Sequence, residues 1–278
     1  MKSYDRKLDQ RLFSDIDLRY VRGFDMFLQK RGCCGNTRKF YFKALRAILN
    51  RANTEGVGSV TTYPFGRGGF EVSKLEEATA KRYLPAAELS KLKSIAVSNP
   101  QCEYARKLFL FSYYCYGISF IDMAMLTTAQ IKQMEDGNYI VYKRQKIKRQ
   151  KGVKPISIKI TPAIRQLIGS LQAASPTVDD FLLPIVTRSG YTGERLYMHI
   201  RARYSKYQKY LRLLAEELGI DFHLTSYVSR HTAAMTLQRN NIPREVISQM
   251  LGHADLETTN IYLDSFDNGV INEAAKVL

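Results

Sequence analysis

The clearest period-two alternation of apolar and polar residues in this chain is one short stretch, Ile156-Ser-Ile158-Lys-Ile160. With the run Asn138 to Tyr142 it predicts a single small antiparallel strand pair, joined by the basic segment KRQKIKRQKGVK. The other patterned segments are spaced for helices, so the fold class expected is mainly α with a small antiparallel β-sheet (α+β).

Asp17 is placed to cap a helix that ends near Gly32, with Val21, Phe24, Phe27 and Leu28 on one buried face. Asn36 is the expected cap of a second helix, whose apolar stripe reads Phe40, Ala44, Leu45, Ile48, Leu49 and Ala52. Lys39, Lys43 and Arg46 line another side of that helix. They read equally well as a solvated face and as a phosphate-contacting one. From Thr54 to Leu84 the periodicity fades, and TEGVGSV followed by PFGRGGF reads as a Gly-rich connection. The expected organisation is a helical domain over 1–53, a linker over 54–84, and a second domain over 85–278.

That second part opens with a helix from Pro85 and another from Asn99-Pro100, a cap followed by a first-turn proline. Thr161-Pro162 starts the next, with Ile164, Leu167, Ile168 and Leu171 at core spacing. Further helices fit about 196 to 218, 226 to 240 and 243 to 251.

Charge narrows the partner. The chain holds 42 Lys plus Arg against 26 Asp plus Glu, a net +16, so a polyanion is the natural binder. Counted separately, 17 basic and 9 acidic residues precede residue 85, and 25 and 17 follow it, so each part carries +8. A charge shared in this way suits two domains gripping one polyanion. An apolar content of 45%, with 13 Phe and 18 Tyr, supplies a core and excludes disorder, collagen and small disulfide scaffolds. No apolar run of the roughly 18 residues that a membrane span needs is present, and MKSYDRKLDQRL lacks the apolar core of a signal peptide, so a cytoplasmic protein is expected. Cys33, Cys34, Cys102 and Cys115 lack metal-ligand spacing and read as free thiols.

Near the end of the chain, Arg230-His231-Thr232 lies early on a helix, Leu251-Gly252-His253 follows at the end of the next, and TTNIYL carries Tyr262 nine residues after His253. Singly these are weak signals. Their order and separation resemble the tyrosine recombinase (phage integrase) family, and NTRKFYFKALRAILNRA is similar to the helical core-binding (SAM-like) domain that precedes the catalytic domain there. The likeness extends over nearly the whole chain; set against the family, it leads us to expect a short start, with no separate arm-site domain.

The resemblance implies that Tyr262 attacks a phosphodiester of double-stranded DNA and forms a 3′-phosphotyrosine link, with no metal or nucleotide cofactor. It implies that Arg230 and His253 donate to the nonbridging oxygens as negative charge gathers. A hairpin lysine would protonate the leaving 5′-oxygen. Lys146 takes that place, with Arg144 and Lys148 as neighbours that could be mistaken for it or could grip the backbone.

Two positions depart from the family pattern. Tyr227 stands where a histidine is usual, and reads either as a substitute donor or as a packed helix tyrosine. Alignment on Gly117-Ile118-Ser119 puts Ser119 where the first arginine belongs, and Tyr116 precedes that glycine where a related branch has arginine; Arg106 or another basic residue would have to compensate. The resemblance therefore implies a site-specific recombinase or integrase, with a catalytically impaired DNA-binding regulator of the same fold as the alternative. The tail residues Ile271, Ala274, Ala275 and Leu278 form one apolar helical face, read equally as self-packing and as the docking element of a homotetramer on DNA.

Overall fold

The computed structural model describes residues 1–77 and 82–252 of the chain. Two compact units are present, Met1–Ala80 and Lys81–Leu278. Among the described residues no helix is long and apolar enough to cross a membrane.

The first unit is built on helices α1 (Leu18–Lys30) and α2 (Gly35–Thr54). Asp17 caps α1 by accepting the Tyr20 N–H at 2.8 Å, and Val21, Phe24 and Leu28 are buried at the spacing the sequence predicts. On α2 the expectation needs correcting. Cys34, not Asn36, is the N-cap; Asn36 lies inside the first turn, and its side chain donates to the Glu77 carbonyl at 2.6 Å.

The buried face of α2 is also rotated from the one expected. Phe42, Leu45, Leu49 and Ala52 are buried, whereas Phe40 is 70% exposed and Ile48 55%. The reason is the segment that reads as a linker. Phe65 and Val72, beyond a Gly-rich stretch, are buried with Phe42, and Phe70 packs its ring 4.5 Å from the Phe42 ring. Tyr63, Phe65, Phe70, Val72 and Leu75 therefore pack into the first core, and the two compact units divide after Ala80. Arg38 closes this unit from the side by donating to both oxygens of the part-buried Asp25 at 2.9 Å.

The second unit holds α3 (Ala86–Ser94), α4 (Pro100–Tyr114), α5 (Phe120–Ala124), α6 (Pro162–Ala174), α7 (Gly193–Leu218), α8 (Val228–Arg239) and α9 (Arg244–Leu251). The expected caps at Asn99 and Thr161 both accept first-turn N–H groups, and Gly219 ends α7 in the left-handed region at φ +67°. The sheet has three strands in the order β1 (Ile131–Met134), β2 (Gly137–Tyr142) and β3 (Ile156–Lys159), all antiparallel. Ile140 lies opposite Ile158 and both are fully buried, which gives the alternation on β3 its cause. The strand β1, IKQM, carries no alternation of its own and is visible only in the structure.

Helix α4 is the centre of this unit. Leu108, Phe109 and Phe111 are buried along it, and α6, α7 and α8 pack around it. It ends in two successive left-handed residues, Tyr116 at φ +56° and Gly117 at φ +72°, which turn the chain under α8.

Candidate functional site

The turn at Gly117 and the first residues of α8 are pressed together. A Cβ on Gly117 would lie 2.4 Å from the Arg230 Cα, so the close approach and the positive φ both require glycine there. Arg230 is 3% exposed. Its Nη1 donates to the Gly117 carbonyl at 3.1 Å and its Nη2 donates to the Leu251 carbonyl, which ties the α4–α5 turn, α8 and the end of α9 to one guanidinium. Holding the fork at two points fixes its plane, a condition for bidentate recognition of an oxyanion.

The Arg230 pKa is lowered to about 10, chiefly by burial and then by the nearby charge of Arg144, with Tyr227, Tyr142 and Asp122 acting in the opposite direction. Arg144 follows β2 and donates from Nη1 to the Gly252 carbonyl at 3.2 Å. Gly252 ends α9 at φ +63°, where a Cβ would meet Ile156 Cδ1 at 2.3 Å. Two arginines thus converge on the Leu251-Gly252 turn, one on each of its carbonyls.

Ser119 is the N-cap of α5. Its hydroxyl donates to the Asp122 carboxylate at 2.6 Å, and its oxygen receives the Asp122 N–H at 3.3 Å. The side chain standing where the first arginine is expected is therefore occupied as a cap. Asp122 is buried, and its other oxygen accepts the N–H of Gln145 at 2.7 Å. That bond anchors the root of the basic loop between Arg144 and Lys146. Lys146 and Lys148 are exposed on the loop itself.

Arg106 serves elsewhere. It donates to Glu103 at 2.6 and 2.8 Å and to the carbonyls of Leu92 and Lys93 at 3.1 and 3.0 Å, which stitches α4 to the end of α3. Arg144 is instead the second guanidinium whose charge reaches Arg230. Tyr116 is half-buried, and burial raises its hydroxyl pKa. Tyr227 precedes α8 and keeps 47% of its surface; its ring lies 5.1 Å from that of His231, edge-on. Ser119, Tyr227 and Arg230 border one cleft. His253, Tyr262 and the tail residues lie outside the described residues.

In the first unit, Lys39, Lys43 and Arg46 line an open cleft of about 620 Å³ together with Arg67 and Ser73. Lys39 pairs with Glu76, whose carboxyl is held below its ordinary range by that contact and by Lys43. Arg67 was legible only as part of the GRGGF connection, because nothing in that motif says it folds back toward α2.

Comparison with known proteins gives these observations a context. The family model described as Phage integrase family matches residues 82–268, and the one described as Phage integrase SAM-like domain matches residues 1–72. Tyrosine recombinase XerD of Halalkalibacterium halodurans is 43% identical over 54 residues, 19% of this chain and 18% of that protein. Tyrosine recombinase XerC of Rhodospirillum centenum is 31% identical over 114 residues, 41% of this chain and 31% of that protein. These alignments span less than a third of either relative.

Among solved structures, XerH site-specific recombinase bound to palindromic difH substrate superimposes with a TM-score of 0.67 at 19% identity, covering 95% of this chain and 73% of that one. A lambda integrase tetramer bound to a Holliday junction gives 0.66 at 15% identity, over 96% of this chain and 71% of the other. The Tn1549 transposon integrase in complex with transposon right end DNA gives 0.63 at 12%, over 94% and 85%. At these identities the likeness is one of fold.

Proposed function

The chain belongs to the phage integrase family, and from that premise we propose that it is a site-specific DNA strand transferase that cleaves and rejoins duplex DNA through a 3′-phosphotyrosine intermediate on Tyr262. The observation that carries this reading is Arg230, buried and fixed by the Gly117 and Leu251 carbonyls with the charge of Arg144 beside it. Arg144 beside it adds a like charge that a bound anion would offset, which is how preorganised donors favour a phosphate gathering negative charge.

In this mechanism Arg230 and His253 donate to the nonbridging oxygens of the phosphate as charge accumulates on them. Arg144 supplies the second guanidinium, in place of the arginine that Ser119 does not provide. Tyr227 offers its phenol as a further donor, and Lys146 delivers a proton to the leaving 5′-oxygen so that the strand departs as a neutral hydroxyl. Tyr262 loses its proton as it bonds to phosphorus, and religation reverses each transfer. Lys39, Lys43 and Arg46, with Lys148 on the loop, hold phosphates away from the reacting one. On DNA the chain acts as a homotetramer, with the tail as its link; the lambda integrase that shares its fold is named as a tetramer bound to a Holliday junction.

The competing reading, a DNA-binding regulator that has lost catalysis, is favoured by one observation: Ser119 is committed as a helix cap. Loss of one preorganised donor costs roughly a hundred- to a thousandfold in rate. The two readings separate on covalency. The chain and a Tyr262→Phe control are incubated with nicked suicide duplexes tiled across flanking genomic DNA. A covalent adduct on a denaturing gel that vanishes in the control supports strand transfer. Tight binding without any adduct transfers the conclusion to the regulator.

A further inference from the structure

A cleft of about 420 Å³ opens beside Arg230 in the second unit, and most of its lining has no part in strand transfer as described above. Its deep side is apolar, with Ile118, Phe120 and Ile200 all buried. Three tyrosines complete it, and each keeps much of its surface in water: Tyr197 58%, Tyr227 47% and Tyr204 36%. Single exposed aromatic residues are ordinary. Three on one concave, mainly apolar cleft mark a place for a ligand.

Two of the rings are held in position. The Tyr204 hydroxyl lies 3.1 Å from that of Ser226, and its ring lies 5.2 Å from that of Phe120. Tyr227 rests edge-on against His231. Arg201 and Arg230 supply positive charge at the same cleft. A flat unsaturated ring attached to an anion satisfies this combination, because the phenol faces stack on the ring and the guanidinium groups take the charge. A nucleotide is such a ligand, and a phosphodiester held at Arg230 carries its own base within one sugar of the cleft.

We propose that this cleft receives a nucleobase drawn out of the duplex stack, from the strand whose phosphate Arg230 holds. The proposal rests on the strand-transfer reading and adds to it a pocket that senses the base next to the reacting phosphate. A ring enters such a cleft only by leaving its neighbours, and that departure is least costly from a mismatched pair.

The test uses the full chain carrying Tyr262→Phe, which binds without forming a covalent link. It is titrated with duplexes built on a bound genomic fragment, each with one mismatch, stepped through the positions around the phosphate that the unsubstituted chain cleaves. A mismatch at one position beside that phosphate is expected to tighten binding about tenfold, the gain of one base stacked without the full cost of extrusion. Addition of Tyr197→Ala is expected to abolish that gain. Equal affinity at every position, or a gain that survives Tyr197→Ala, overturns the proposal and leaves strand transfer standing; failure to bind any fragment overturns both.

Discussion

The Ser112 hydroxyl lies 2.7 Å from the Ser229 hydroxyl, a fully buried contact between residues 117 apart in sequence. Ser112 also donates to the Ile118 carbonyl at 2.7 Å, and its own carbonyl accepts the Gly117 N–H at 2.7 Å. Ser112 thus clamps the turn that holds Arg230, and Ser229, the residue before Arg230, ties that clamp to α8. Ser229→Ala is expected to cost about 1–2 kcal/mol in thermal unfolding. It should slow single-turnover adduct formation about tenfold while leaving the salt dependence of DNA binding unchanged. Loss of stability with an unchanged rate would reduce the pair to packing.

Two glycines with the same backbone angle separate strain from contact. Gly117 and Gly190 both have φ +72°, but a Cβ on Gly190 meets nothing within 4 Å. Gly190→Ala is expected to cost about 1 kcal/mol, the left-handed penalty alone. Gly117→Ala adds a collision with Arg230 and should cost about 3 kcal/mol or more. Thermal unfolding of the two variants side by side measures the difference, and equal losses would mean that the close approach relaxes at no cost.

The charge on Arg230 sets an alkaline limit. Its pKa is lowered to about 10 from the ordinary 12.5, so the charged form is complete well below that point and is lost as pH rises through it. For adduct formation, kcat/KM, which reports the free protein, is therefore expected to fall above about pH 10. Removing the like charge in Arg144→Ala should lower the rate and move the limb to higher pH. A limb that stays in place shows that the two guanidinium groups are not coupled; circular dichroism at each pH guards against unfolding.

Thiol reactivity should follow the environment of each cysteine. Cys34 is exposed at the start of α2, and its hydrogen bonds to the Thr37 hydroxyl and N–H lower its pKa. Cys102 and Cys115 are buried, and burial raises both pKa values. Titration with a chromogenic disulfide is expected to modify Cys34 within the first phase, and Cys102 and Cys115 only on denaturation. Early loss of all four thiols would indicate that the second unit opens readily.

The helices were legible wherever apolar spacing coincided with a capping residue, as at Asp17, Asn99 and Thr161. The readings that missed share one cause, partners distant in sequence. Nothing in α2 itself says that Phe65, Phe70 and Val72 return to cover Phe42 instead of Phe40. Strand β1 owes its conformation to β2 and not to a pattern of its own. At the site, motif order singled out Arg230, but the carbonyls that hold it belong to Gly117 and Leu251. Arg144 read as one cation among the seven basic residues of the twelve from Lys143 to Lys154. Its contact with Gly252 and the reach of its charge to Arg230 set it apart.

The bond from Asp122 to residue 145 is made to the main-chain N–H. Any residue except proline can offer that group, so the tether is indifferent to the side chain at its far end. The loop beyond Lys146 can be rewritten by mutation, in length or in composition, without slipping from its mooring. Under the strand-transfer reading proposed above, selection is thereby free to retune how this part of the surface meets different DNA, while the residues around Arg230 stay as they are.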